Sequence, residues 1–341
     1  MATIYDVAKQ AGVSVATVSR ILNGERNVTP KTTMIVEAAI KQVGYVPRAV
    51  RPGRKPVNRK GVQTGMIDFL SLGATPPAQL FRLPAFSRLL DGIMQSIEER
   101  GMDLVLSHCP KGEVIPPVLA RRRADGVLIF GEPALYAKVA SVLDRIPHVW
   151  CFLADGVSGE GLDHVVYDNS HVGEIAADYL IGRGHRRIAY MSVGSDHVAF
   201  NERRAIFVDS LAAKGVLPVV IEGNVERLQN MACDAEPIVE QLLAMDPLPS
   251  GVFLAADDLM LAVFNGLRRR GIDPGKDIEL IGCNNDRLLM DQMHPRPATI
   301  DLQLNRVGLL AMEHLVEKMA HTARGDSVAV HVSSMLIPAE K

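Results

Sequence analysis

The chain has 341 residues, 48% of them hydrophobic and only 5% aromatic, enough apolar material for two or three compact units rather than one. No run approaches the ~18 apolar residues of a spanning helix, and the N-terminus lacks the layout of a secretory signal, so membrane and export readings drop out. The net charge of −2 conceals a split: residues 1–60 hold eleven Lys or Arg against Asp6, Glu25 and Glu37, giving +8, and the remainder carries −10.

A basic head on an acidic body points to a small unit that meets a polyanion and a larger one that does not. Cys109, Cys151, Cys233 and Cys283 are widely spaced, with no CxxC pair and no nearby histidine partner. The chain therefore reads as reduced and cytoplasmic, with no metal and no cofactor expected.

The first helix is announced by Thr3, with Asp6 three residues on in a capping-box arrangement, and by an apolar stripe of Ile4, Val7, Ala8 and Ala11. Gly12 can take the left-handed position that ends it, Val13 can plug inward, and Ser14 can cap a second helix over 15–22. Val18 with Ile21 or Leu22 faces inward there, leaving Val15, Ala16, Ser19 and Arg20 outside. Thr29 and Pro30 open a third helix, with Val36, Ala39, Ile40 and Val43 as its buried face and Gly44 as its stop. Three short helices with a tight turn between the first two describe a helix-turn-helix, whose second helix enters the major groove. Val15 and Ala16 can meet thymine methyls there, and Arg20 a guanine.

The run TIYDVAKQAGVSVATVSRILNG, followed by GYVPRAV, closely resembles the headpiece of the lactose-repressor family of bacterial transcription regulators. That resemblance implies base contacts by Val15, Ala16 and Arg20, with Ser19, Tyr5 and the cap Ser14 facing phosphate or groove.

Residues 46–61, VPRAVRPGRKPVNRKG, have a hinge composition. Family members usually form a short helix here whose leucine wedges into the minor groove. Here Pro52-Gly53 interrupts any such helix, and Arg54 stands where that leucine is expected. Two readings stay open: an extended arm reading a narrow minor groove through Arg51 and Arg54, or a solvated linker adding only general attraction.

From Gly65 onward strands alternate with amphipathic helices. The strands are Met66 to Leu70, Leu104 to Ser107, Gly126 to Phe130, Val149 to Phe152, Ile188 to Ser192, Val252 to Ala255 and Glu279 to Gly282. Helices include Phe86 to Arg100, His171 to Arg183, Glu202 to Lys214 and Asp258 to Arg270. This is the pattern of parallel sheets with helices on both faces, and some 280 residues call for two lobes with a cleft at the strand carboxyl ends. The division expected is a headpiece over 1–46, a hinge over 47–62 and a two-lobed domain over 63–341.

Looser resemblance to the same family continues through GRGHRRIAYM, FLAADDLMLAVFNGLRRRGIDPGKDIELIGCNND and HPRPATID. It implies an effector domain similar to periplasmic sugar-binding proteins, with three crossovers between lobes and a small molecule, a sugar or related metabolite, in the cleft. Carried over position by position, the contacts fall on Arg203, Asp257, Asn284 and, more weakly, Asp155. Asp257 stands where asparagine is usual, and Asn284 where aspartate is usual. Phe69 and Phe86 are expected to form an apolar wall, and His197 is a further candidate in the cleft. An arginine fork with carboxylates suits vicinal hydroxyls. Other roles compete: Arg203 can pair with Asp257 or Asp155 across the cleft, and Asp257 can cap the helix behind it.

Arg121–Arg123 and Arg268–Arg270 close helices and read as solvated faces, and Trp150 as core. The leading function is a dimeric regulator of a pseudo-palindromic double-stranded DNA operator, located at the nucleoid and switched by a small molecule. The competing classes are an α/β enzyme with an accessory head, for which no P-loop, GxGxxG or GxSxG motif speaks, and a plain binding protein.

Overall fold

The computed structural model describes residues 2–22, 29–45, 63–81, 83–153, 161–192, 198–223, 236–321 and 327–340. The chain divides into two compact units, Met1–Lys55 and Pro56–Lys341.

The first unit holds α1 (Ile4–Ala11), α2 (Val15–Leu22) and α3 (Pro30–Val43). The capping box is formed: the Asp6 amide donates to Thr3 Oγ1 at 3.4 Å, and the Thr3 amide donates back to Asp6 Oδ2 at 2.8 Å. Gly12, at φ 67°, ends α1 and donates to the Ala8 carbonyl, a conformation that costs glycine little. Val7, Ala8, Val18, Val36 and Ala39 are the buried core, and Val13, Ile21, Leu22, Ile40 and Val43 pack around them.

In the second unit, strands β1 (Met66–Leu72), β2 (Asp103–Cys109), β3 (Gly126–Gly131), β4 (His148–Leu153) and β5 (His164–Tyr167) are followed by β6 (Ile188–Ser192), β7 (Val219–Glu222), β8 (Gly251–Leu254), β9 (Glu279–Cys283), β10 (Ala298–Asp301), β11 (Ala329–Val332) and β12 (Met335–Ile337). They form two sheets of six, ordered β11-β5-β4-β3-β1-β2 and β12-β10-β9-β8-β6-β7. Every pairing is parallel except β10 with β12. The two lobes of the reading above are these two sheets with their helices, and every strand read from the sequence is present within a few residues of its expected ends.

The chain passes between the sheets three times: after β5, after β10 and between β11 and β12. The crossings are tied together. The Asp168 amide donates to the Val332 carbonyl at 2.8 Å, Ser334 Oγ to the Asp168 carbonyl at 3.1 Å, and Gln303 Nε2 to the Ser333 carbonyl at 2.5 Å.

Helix Leu304–Ala320 starts at the second crossing and returns to the N-terminal lobe, where it lies against helix Pro84–Arg100 at very close range. A Cβ on Gly92 would lie 1.9 Å from the Asn305 carbonyl oxygen, and one on Gly308 2.3 Å from that of Leu89, so only glycine permits the approach. The first sheet is buried on both faces. Ile67, Phe69 and Leu128 belong to the layer of helix Pro84–Arg100, and Leu70, Val127, Ile129 and Trp150 to the opposite one. Trp150 is core, as expected.

Candidate DNA-reading face and effector cleft

On the first unit, Ser14 stands directly ahead of α2 and its Oγ accepts from the Thr17 amide at 3.1 Å, so the helix start is capped by side chain and open outward. Ala16 and Arg20 are exposed and Ser19 half-buried on α2, and Tyr5 is 71% exposed in the first turn of α1. Val15 departs from the expectation of an outward residue: it is half-buried and packs on the small core. One turn further on, Val18 takes the fully buried position, and a helix of eight residues over so small a core draws in its flanking apolar side chain too. Arg51 and Arg54 lie outside the described residues.

In the second unit the candidate cleft is bounded by the carboxyl ends of the strands. From the N-terminal lobe comes a cluster of five phenylalanines. Phe69 on β1 and Phe86 on helix Pro84–Arg100 meet edge-to-face with centroids 5.4 Å apart, and Phe81 meets Phe86 in the same way. Phe130 at the end of β3 stacks on Phe152 at the end of β4, 4.3 Å apart and 11° from parallel. The expected wall is thus corrected. Phe69 and Phe86 are 1% and 2% exposed and form the base of the cluster, whereas Phe130 and Phe152 are half-buried and Phe81 exposed, so these three present the surface. Strand alternation cannot reveal this, because the sheet is buried on both faces.

From the C-terminal lobe comes Arg203, on helix Val198–Ala212 and 2% exposed. Its Nε donates to Asn169 Oδ1 at 2.7 Å and its Nη1 to the Ala255 carbonyl at 2.6 Å. Tyr167 and Phe200 flank it, with ring centroids 5.9 and 5.6 Å from the guanidinium carbon. Asn169 stands in the first crossing and Ala255 just past the end of β8, so one guanidinium touches both that crossing and the sheet edge. Among the described residues Arg203 forms no ion pair, and the expected bridge to Asp257 is not made.

Asp257 also departs from the reading as an effector contact or as a cap. The helix Asp257–Arg269 is preceded by Ala256 in the cap position, and Asp257 itself is 0% exposed. Its Oδ2 accepts from the Asp286 amide at 2.8 Å and its Oδ1 from Thr299 Oγ1 at 2.9 Å. It ties β8, the loop after β9 and β10 together. Burial pushes its pKa up to about 8, outweighing those two hydrogen bonds. Burial likewise pushes the Cys283 thiol up to about 12.

Asn284, half-buried with φ 114°, donates its amide to the Ile300 carbonyl at 2.9 Å and turns the chain at the end of β9. Asp155 and His197 lie outside the described residues. Sequence reasoning missed Asn169 and Arg88. Arg88, on helix Pro84–Arg100, reaches from the N-terminal lobe to the other: its Nη1 donates to the carbonyls of Asn284 and Asn285 at 2.8 and 3.0 Å, and its Nη2 pairs with Asp301 at 3.0 Å.

Comparison with known proteins gives two family matches: "Bacterial regulatory proteins, lacI family" over residues 3–48 and "Periplasmic binding protein-like domain" over residues 177–338. The HTH-type transcriptional repressor PurR of Vibrio atlanticus (strain LGP32) is 31% identical over 330 residues, spanning 94% of this chain and 92% of that one. Among solved structures, a transcriptional regulator CelR–cellobiose complex superposes with a TM-score of 0.64 at 26% identity, covering 100% of this chain and 99% of the other. The Lac repressor dimer bound to operator and the anti-inducer ONPF gives a TM-score of 0.70 at 19% identity, covering 99% and 98%.

Proposed function

The chain belongs to the lacI family of bacterial regulatory proteins, and from that premise we propose how its parts work as a DNA-binding transcriptional repressor controlled by a small-molecule effector. It acts in the cytoplasm, at the nucleoid, as a homodimer. One headpiece reads a half-site, so a two-fold pair matches a pseudo-palindromic operator. Arg20 and Ala16 read base edges with Val15 beside them, while Tyr5, Ser14 and Ser19 address phosphate or groove. Residues 1–46 serve as the headpiece, 47–62 as the hinge with Arg51 and Arg54 in the minor groove, and 63–341 as the effector and dimer domain. The cleft takes a carbohydrate or related metabolite, with Arg203 and Asn284 as polar contacts, Asp155 and His197 completing the loops, and no turnover.

The observation that carries this reading is Arg203, buried between Asn169 in the first crossing and the Ala255 carbonyl. A ligand that draws on its guanidinium acts at once on the element joining the lobes. The effector then shifts DNA affinity by its differential affinity for two lobe arrangements, typically ~1–3 kcal/mol of coupling.

Gel retardation on the DNA upstream of its own gene tests the proposal. Specific, salt-sensitive retardation that changes with a cleft ligand is expected, and indifference to every duplex with and without ligand would sink it. Arg20→Ala is expected to lose about 1–3 kcal/mol of operator affinity while leaving ligand binding intact. Arg203→Ala is expected to do the reverse.

A further inference from the structure

Two runs of three arginines look alike in the sequence, and the fold treats them differently. Arg268–Arg270 closes a helix of thirteen residues and is fully engaged. Arg268 lies over the Phe264 ring and donates to the His294 carbonyl at 3.2 Å, while Arg269 and Arg270 pair with Glu236. Arg121–Arg123 follows a helix of four residues, Pro117–Ala120, whose single turn has too small a dipole to account for three cations. All three are exposed, and among the described residues none of their guanidiniums forms an ion pair or a hydrogen bond. The Arg122 and Arg123 amides donate to the Leu119 and Val118 carbonyls at 3.0 and 2.9 Å. That turn holds Arg122 at φ 50°, a left-handed position that glycine fills with the least strain.

The place of this loop indicates its partner. It precedes β3 and lies beside the entry into β1: Thr64 Oγ1 donates to the Arg123 carbonyl at 2.8 Å, and the Thr64 and Gly65 amides donate to the Asp125 carboxylate at 3.0 and 2.7 Å. Thr64 follows residues 46–63, the stretch that leads in from the headpiece, and that stretch holds six Lys or Arg and no acidic residue. Arg145, exposed ahead of β4, stands at the same end of the sheet. The carboxylates of that end are Asp125, Asp144, which accepts from the Tyr136 hydroxyl at 2.7 Å, Asp103 at the start of β2, and Asp163, paired with Lys318 and His314. None of them forms an ion pair with the triplet.

We propose that Arg121, Arg122 and Arg123 are a second DNA contact, carried by the effector domain, that grips the phosphate backbone of the duplex read by the headpiece. A guanidinium fork matches phosphate oxygens, and a short loop has no helix or ribbon with which to enter a groove. Its contacts therefore add affinity without sequence preference. This deepens the reading of the chain as a DNA-binding repressor and rests on it.

Fluorescence anisotropy of the full chain tests the contact on a labelled duplex from upstream of its own gene and on a random duplex of equal length, across about 0.05 to 0.2 M KCl. The variant Arg121→Gln, Arg122→Gly, Arg123→Gln keeps the turn, since glycine suits position 122. It is expected to reduce the slope of log affinity against log salt by about 2 to 3, close to one for each lost phosphate contact. At fixed salt, affinity is expected to fall about tenfold on both duplexes alike, leaving their ratio unchanged. Arg121→Lys with Arg123→Lys keeps the charge and is expected to keep the slope. Arg269→Gln with Lys276→Gln and Arg287→Gln removes three cations from the other lobe, and there too the slope is expected to hold. A slope unmoved by the first variant overturns the proposal. An equal fall in the other-lobe control does so as well, since net charge alone would then explain it, and so does a lysine variant that loses as much as the glutamine one. Wild-type protein that binds neither duplex at any salt instead removes the DNA-binding reading itself.

Discussion

In the N-terminal lobe five phenylalanines gather around the ends of β1, β3 and β4, whereas the C-terminal lobe brings Arg203, Asn284 and the Asp257–Thr299 tie to the ends of β8, β9 and β10. Yet the two sheets run in the same strand order, each with six strands and a late strand at its outer edge. Backbone topology thus decides where a binding surface opens, and side chains alone decide what it binds. One lobe supplies flat apolar area and the other supplies charge and hydrogen bonds, so on the proposed reading a ligand with both kinds of surface is held only when both lobes engage it.

The largest expected effect tests whether the lobes are equivalent beneath that difference. Each buries a carboxylate that burial holds protonated: Asp68 on β1, pushed up to about 7 by burial against the opposing hydrogen bond from Ser107, and Asp257, pushed up to about 8. The native state keeps protons that the unfolded chain releases above about pH 4. Their contribution is therefore complete below that pH and is lost as pH rises through 7 and 8, with a slope approaching ~1.4 kcal/mol per unit for each group. In urea unfolding at a series of pH values, Asp257→Asn and Asp68→Asn are each expected to flatten part of this decline. Parallel curves for variant and wild type contradict the assignment, and flattening by only one of them assigns the pH response to one lobe.

Next come the helix contacts. Helix propensity alone predicts that Gly→Ala gains ~1 kcal/mol. At Gly92 the added carbon would lie 1.9 Å from a backbone oxygen, and at Gly173 2.7 Å from the Phe207 amide nitrogen and 2.8 Å from the Arg203 carbonyl oxygen. Gly92→Ala is expected to cost about 3 kcal/mol and Gly173→Ala about 2. Unfolding midpoints check both, and a gain at either site shows that its helices can move apart at little cost. The smallest effect belongs to the aromatic surface. Phe130→Ala is expected to lower effector affinity by about 1 kcal/mol, with operator binding in the absence of ligand unchanged, as calorimetry and gel retardation read them.

Legibility in the sequence followed the range of the interactions. Thr3 with Asp6, Gly12, Ser14, and Thr29 ahead of Pro30 are contacts within four residues, and the headpiece helices fall where those residues put them. The short strands β5, β7, β10, β11 and β12 carry three or four residues each and were not read, since so brief a segment has little periodicity to show. β11 exists as a strand because His164–Tyr167 lies beside it, far away in sequence. Arg88 was hidden for the same reason: its partners are 196 to 213 residues distant, and on its own helix it is simply a polar residue between Phe86 and Leu89. Asp257 was found but misjudged, because sequence reveals a carboxylate and not how deeply the fold seals it. Arg203 was placed by resemblance, and the structure adds what resemblance does not, its bond to Asn169.

The stitching of the three crossings by Asp168, Gln303 and Ser334 has a consequence for how signals are coded. Strands bound side by side at one place act as the knuckles of a single door, leaving the lobes one angle through which to swing rather than many independent ways to shift. Every compound that enters speaks through that angle alone. Whether it silences or releases a gene then depends on where along the arc the door rests when nothing is inside.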